Sequence, residues 1–423
     1  MRRSDYQMIY VCDTIMGSGK TSAAIDLINS RPGQKFIYAS PYLAEAERIK
    51  EACPSARFAE PSGNIEEYHF RKKDHTEALL GSGCNIATTQ QTLRRYSAGM
   101  AESIYRQKYT LILDECIDVL ERVESGFNAY DIGLLEAGGY VKRDGDRLKS
   151  TGVPFGGEGY TEIFDILRTR ELVYMDIGEG GGASFCWMLP VWLFSSFKDV
   201  YVLTYLFEGQ NLAYFMDAYG LEYEYIGVKR EDGCYRFTEP GERWEAPEYT
   251  RSLSGMIHIC DNVRLNAVGE NRCSLSKTWF EKEENAEGIH ALRCGMANYF
   301  RNVNAWSGAD DRLWGTYCDA RGKLKGKGYT KCFLPFNARA TNEYRDRTCL
   351  IYAANVFMNV NDKKYYYSIG ANVNENMYAL SVMIQWIWRS AIREGKEIWI
   401  YIPSRRMRVL FEQWMESLKQ RRP

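Results

Sequence analysis

The sequence predicts an α/β protein of two successive units, each a parallel β-sheet flanked by helices. Three observations carry this expectation. Short apolar runs alternate with helical patterns through the first third of the chain, and a second alternation begins after a Gly- and Pro-bearing stretch at 231–247. Two of the early apolar runs also end in groups suited to phosphate and metal, where strand ends of a parallel sheet face a ligand crevice. A length of 423 residues suits two domains, and 45% hydrophobic with 26% charged residues suits a globular chain with real cores.

The strands expected in the first unit are Met8–Cys12, Lys35–Ala39, Asn85–Thr88 and Tyr109–Leu113, with Val200–Thr204 as a late strand of the same sheet. Helices are expected at Lys20–Asn29, Leu43–Ala52 and Gln90–Arg95. From about 120 to 198 the periodicity loosens into glycine-rich sequence, and this region reads as an insertion. Within it, Tyr160–Arg170 is helix-like, and Glu171–Ile177 with Ala183–Leu189 resembles a hairpin around a Gly-rich turn. The second unit is expected to contain strands Met256–Cys260, Leu350–Val356 and Glu397–Ile402, with helices Met377–Ile392 and Arg406–Leu418. The division is placed at 1–235 and 236–423.

The first apolar run opens into Asp13-Thr14-Ile15-Met16-Gly17-Ser18-Gly19-Lys20-Thr21 and then a helix. Strand, glycine-rich loop and Gly-Lys-Thr helix start form a phosphate-binding loop. Gly17 and Gly19 let the backbone around Ser18 curl so that N–H groups converge on phosphate, aided by the helix dipole. Lys20 reaches the β- and γ-phosphates, and the Thr21 hydroxyl holds Mg²⁺. Thr14 stands where the usual pattern has its first glycine. The run Tyr109–Leu113 ends in Asp114-Glu115, which suit holding the metal and activating a water, respectively. Departing phosphate also needs positive charge. In a continuous helix, Gln385, Arg389 and Arg393 lie four apart and share a face, backed by Met383, Ile384, Ile387 and Trp388.

Taken together, these motifs resemble those of superfamily 2 helicases of the DEAD/DEAH-like group, closest to the compact helicases encoded by bacteriophages. Thr14–Thr21 resembles motif I, Ala39-Ser40-Pro41-Tyr42-Leu43 motif Ia, Ile86-Ala87-Thr88-Thr89-Gln90 the threonine-bearing backbone-gripping motif, and Asp114-Glu115-Cys116-Ile117 motif II. Leu203-Thr204-Tyr205 sits where the coupling motif belongs. Asn337–Glu343 resembles motif V, with Arg339 and Asn342 in coupling positions and Thr341 toward nucleic acid, and Gln385–Arg393 resembles motif VI. The resemblance implies two tandem recA-like lobes with ATP and Mg²⁺ in the cleft between them. It also implies a finger role for Arg389, with Arg393 and Gln385 beside it, and movement along a single strand. The family spaces its motif VI arginines three apart, whereas Arg389 and Arg393 are four apart, so Arg389 is the firmer assignment. Motif V has Ala340 where glycine is usual. Too few residues precede the loop for the upstream adenine-reading motif of DEAD-box proteins.

Backbone contacts to nucleic acid are expected from Ser40, Thr88 and Thr89, although small hydroxyls at loop tips serve equally as helix caps. Ser276 and Lys277 occupy a further backbone-gripping position. Arg321–Lys331 carries five positive charges, among them Lys323, Lys325 and Lys327, with Tyr329 available to stack on a base. It reads either as a mobile basic tip or as a solvated loop.

Net charge is −1, so polyanion contact must be local rather than global. Twelve cysteines without a Cys-x-x-Cys pair argue against zinc and read as reduced thiols. No run approaches the ~18 apolar residues of a membrane span, so a cytoplasmic protein is expected (host cytoplasm if phage-encoded). The expected partners are single-stranded or forked nucleic acid, DNA favoured over RNA, and replication proteins. Two alternatives stay open: a DNA-packaging-type motor ATPase, and a nucleotide-gated nucleic-acid-binding regulator that does not unwind.

Overall fold

The computed structural model describes residues 7–122, 129–157, 159–160, 163–164, 167, 171–175, 184–338 and 343–420. In chain order the strands are β1 (Met8–Asp13), β2 (Phe36–Ser40), β3 (Ile86–Thr89), β4 (Thr110–Asp114), β5 (Leu120–Arg122), β6 (Val141–Asp144), β7 (Arg147–Ser150), β8 (Glu171–Met175), β9 (Ser184–Met188), β10 (Asp199–Thr204) and β11 (Glu224–Ile226). They continue with β12 (Val228–Glu231), β13 (Cys234–Phe237), β14 (Ile257–Ile259), β15 (Arg312–Gly315), β16 (Cys349–Tyr352) and β17 (Ile398–Tyr401).

The first sheet has the order β11-β1-β10-β4-β2-β3, and every pair in it is parallel. Its inner strands are largely buried on both faces, which is why they read as continuous apolar runs, whereas the edge strand β11 is partly exposed. Alternate residues feed separate cores: Val200 and Val202 of β10 pack with Leu111, Met100 and Phe215, whereas Tyr201 and Leu203 pack with Ile112 and the helices α1 (Lys20–Ser30) and α2 (Leu43–Ala52). The second sheet, β14-β17-β16-β15, is parallel too. Leu313, Leu350 and Ile400 face one core there, and Trp314, Ile351 and Tyr401 the other.

The insertion is an antiparallel sheet, β5-β9-β8-β7-β6, so the hairpin expected near 171–189 forms as β8 and β9. The helix expected at Tyr160–Arg170 lies largely outside the described residues. The hairpin β12–β13 follows the first sheet, and its Val228, Tyr235 and Phe237 join the core around α1. A division at 235 therefore falls inside β13, between the last strand of one sheet and the first of the next. The strand expected at Leu350–Val356 stops at Tyr352.

The two units pack against each other through loops and helices. Ile15 of the first unit is buried in the second unit's core with Leu253, Ile257 and Met383. The Trp414 indole N–H donates to the Tyr205 hydroxyl at 2.8 Å. At Gly209 a Cβ would lie 2.5 Å from the Met377 carbonyl oxygen, so glycine is what permits this approach. Among the described residues, no helix is long and apolar enough to cross a membrane.

Candidate functional site

β1 delivers the chain to a tight loop before α1. Gly17 and Gly19 adopt φ of 86° and 95°, conformations open to glycine at little steric cost, and Gly19 caps α1 through its backbone alone. Thr14, in the place of the usual glycine, has a use: its hydroxyl pairs with that of Ser18 at 2.8 Å across the loop. The Lys20 ammonium is half-buried and donates to the Thr14 and Ile15 carbonyls, the latter at 3.0 Å. Burial lowers its pKa, outweighing the pull of Asp13, Asp114 and Glu115.

At the end of β4, Tyr38 donates to Asp114 Oδ2 at 2.5 Å. Burial pushes the Asp114 carboxyl up to about 6, against the lowering effects of the Tyr38 hydroxyl and Lys20. Glu115 is left-handed, with φ of 68°, which costs strain in a non-glycine residue and is held from two sides. Its N–H donates to Leu203 O at 2.9 Å, and the Gln90 amide donates to the carbonyls of Asp114 and Glu115 at 2.9 and 2.8 Å. This supporting role of Gln90 was missed in the sequence, where the only signal was its place after Thr88-Thr89. The Thr204 hydroxyl ties the ends of β10 and β4 together, receiving Gln210 Nε2 at 2.7 Å and Cys116 Sγ at 3.4 Å.

Gly17, Gly19, Lys20, Thr21, Asp114, Glu115 and Thr204 line one face of a cavity of about 570 Å³, and Gln385, Arg389 and Arg393 line the other. The three do not share a helix face as expected. The helix Glu375–Ile387 ends before Arg389, and a short 3-10 turn, Ala391–Glu394, carries Arg393. The break has a physical cause. The Ser390 hydroxyl takes the Ile387 carbonyl at 2.6 Å, and Ala391 N–H turns to Arg347 O at 2.9 Å instead of a helical partner. The arginines still converge on the cavity. Arg389 is buried, its Nη2 lies 3.5 Å from Glu115 Oε1, and its Nε is a buried donor without a hydrogen-bond partner. Such a donor suits an anionic ligand.

The residues expected on nucleic acid fare differently. Ser40 donates to Tyr42 O at 2.7 Å, Thr89 caps the helix Gln90–Leu93, and Ser276 caps Lys277–Glu281, so each hydroxyl has a local task. Thr88 is buried with its hydroxyl unpartnered. Lys277 is exposed at that second cap. The basic segment is a correction: Arg321–Leu324 is a helical turn, not a mobile tip. Tyr329 is 1% exposed, donates to Leu324 O and accepts the Trp314 indole at its carbonyl, so it is core and not a stacking platform. Apolar surface decides this: Leu324 and Tyr329 bury against Phe300 and Trp314. Lys323 donates to Phe280 O, whereas Lys325 and Lys327 are exposed. Arg339, Thr341 and Asn342 lie outside the described residues.

Residues 251–415 match the YonV C-terminal Rossmann-like domain. Among solved structures, the S. tokodaii Xpd4 structure superposes with a TM-score of 0.50 at 11% identity, over 96% of this chain and 94% of that one. An XPD helicase covers 97% of this chain and 94% of its own with a TM-score of 0.40 at 10% identity. The Xpd4 likeness is one of fold: two parallel sheets, each flanked by helices. The SPbeta prophage-derived uncharacterized protein YonV of Bacillus subtilis (strain 168) is 35% identical over 421 residues, 97% of this chain and 99% of its own. At that identity over nearly the whole length, the chain belongs to the YonV family.

Proposed function

We propose that this protein is an ATP-dependent nucleic-acid helicase or translocase, acting on single-stranded or forked DNA in phage replication or recombination. The observation that carries the reading is the convergence of Lys20, Thr21, Asp114 and Glu115 from one sheet with Arg389 from the other on one cavity. The binding side of the reaction falls to the loop. Backbone N–H groups from Gly17 to Thr21 cradle the phosphates, and Lys20 exchanges its two carbonyl partners for phosphate oxygens.

The donor set fits a divalent cation: a hydroxyl at Thr21 and the Asp114 carboxylate, hard oxygens beside a phosphate loop. Mg²⁺ held there would neutralise developing charge on the phosphates. Glu115 orients and deprotonates the attacking water, and its strained backbone fixes its direction. Arg389, with an unused Nε and a single long contact to Glu115, offers guanidinium charge to the departing phosphate. Arg393 and Gln385 assist from the same side. Because the site is complete only when both lobes face it, hydrolysis and release move the lobes relative to each other. Thr204, beneath both strand ends, relays that motion.

The test is the ATPase rate with and without single-stranded DNA, duplex DNA and RNA, followed by unwinding of a forked duplex. Stimulation by single-stranded DNA is expected. A rate indifferent to every polynucleotide overturns the helicase reading. With charge balanced overall, affinity for the strand should fall steeply with salt.

A further inference from the structure

The hairpin β12–β13 leaves a tyrosine at an unusual place. The Tyr235 ring packs directly on the phosphate loop: a Cβ added to Gly19 would lie 2.3 Å from its Cδ1. The same ring lines the cavity beside Thr21 and Ser22. The polarity of a bound triphosphate is set by the chemistry already described, since its terminal phosphate must face Asp114, Glu115 and Arg389. Those groups stand on the β4 side of β1, because the sheet runs β11-β1-β10-β4. A triphosphate laid across the start of α1 therefore emerges, at its sugar and base end, past Thr21 and Ser22 toward the β11 side. There the hairpin is anchored through Val228 and Phe237 in the core around α1. An exposed arginine, Arg230, has its guanidinium 5.6 Å from the Tyr235 ring centroid.

We propose that Tyr235 is the platform on which the base of the bound nucleotide stacks, so that a hairpin following the first sheet does the work of reading the base from outside the loop. The inference rests on the nucleotide-site reading above and adds the residue that contacts the base. Stacking uses a π-face that every base possesses, and larger rings stack better. Purine triphosphates should accordingly bind more tightly than pyrimidine triphosphates.

The experiment compares binding of ATP and of inorganic tripolyphosphate to the full chain, by calorimetry with magnesium present. Tyr235→Ala should weaken ATP about tenfold, within the range of one base–aromatic stack, and leave tripolyphosphate unchanged. Tyr235→Phe should restore ATP binding, because the hydroxyl is not required, whereas Tyr235→Leu, which keeps apolar bulk on Gly19, should not. Equal weakening of both ligands by Tyr235→Ala, or rescue by leucine, overturns the proposal and makes Tyr235 a prop for the loop. An unchanged ATP affinity in Tyr235→Ala overturns it as well. If wild-type protein binds neither ATP nor tripolyphosphate, the nucleotide site itself is refuted and the stacking role falls with it. Lys20→Ala, which should weaken both ligands together, separates these two failures.

Discussion

The two sheets meet at one cavity but supply it in opposite ways. In the first lobe the chemistry sits at junctions of strand and helix that are short, local and conformationally forced, with glycines at 17 and 19 and a left-handed Glu115. In the second lobe it comes from a helix that fails, where Ser390 and Arg347 draw hydrogen bonds away and release Arg389 from the helical row. One lobe builds a rigid cradle and the other offers side chains at a loosened terminus. A rigid cradle suits a ligand that must bind before lobe closure, and a terminal arginine suits a contact made and broken in each cycle.

The sharpest way to break this comparison is to disable each half separately. Glu115→Gln and Arg389→Ala should each lower kcat of the ATPase about a thousandfold, and the double variant should add little, since both serve one transition state. An Arg389→Ala rate within threefold of wild type would remove the second lobe from the chemistry. Arg393→Ala should cost about tenfold, because its 3-10 turn lies beyond the released segment.

A second contrast concerns charge. Asp114 is half-buried in the rigid half, with its carboxyl pushed up to about 6. In the unfolded chain it returns to its ordinary value of 3.8. At pH 7 both states are ionised and the folded state bears the full burial cost, on the order of 3 kcal/mol from a two-unit shift. As the pH falls from about 6 the folded state takes the proton first and the cost fades, vanishing below the unfolded value. Asp114→Asn should therefore raise Tm by a few degrees at pH 7 but not near pH 4, measured by scanning calorimetry, while abolishing hydrolysis. Equal Tm at both pH values would mean the carboxyl is not strained by burial. In the metal-free protein, Tyr38→Phe should push the Asp114 carboxyl further up, followed by NMR titration of the carboxylate, because the lost hydrogen bond favoured the ionised form.

The smallest expected effect tests the basic segment. Lys323→Ala should leave single-stranded DNA affinity unchanged and cost about 1 kcal/mol of stability in urea, the worth of its hydrogen bond to Phe280 O. A large loss of DNA affinity would place Lys323 on the nucleic-acid surface despite its bond to Phe280 O.

What the sequence determined by itself was everything set by neighbours along the chain. Five strands of the first sheet and three of the second were legible because strands buried on two faces must be continuously apolar, whereas the edge strands β11 and β15 went unread, and α2 was legible to its last residue. The phosphate loop and Asp114-Glu115 were legible because their geometry needs particular residues at fixed spacing. Tertiary structure decided the rest. A helical pattern through Arg393 gave no sign that Arg347, distant in sequence, would claim a backbone N–H and end the helix. Five positive charges hid that Leu324 and Tyr329 between them had a core to enter. Nothing near Gly19 in the chain announced that Tyr235 would lie against it. Local propensity fixes where strands and tight loops form, but which helix yields, and which aromatic finds a partner, depends on surfaces that exist only after the two lobes have packed.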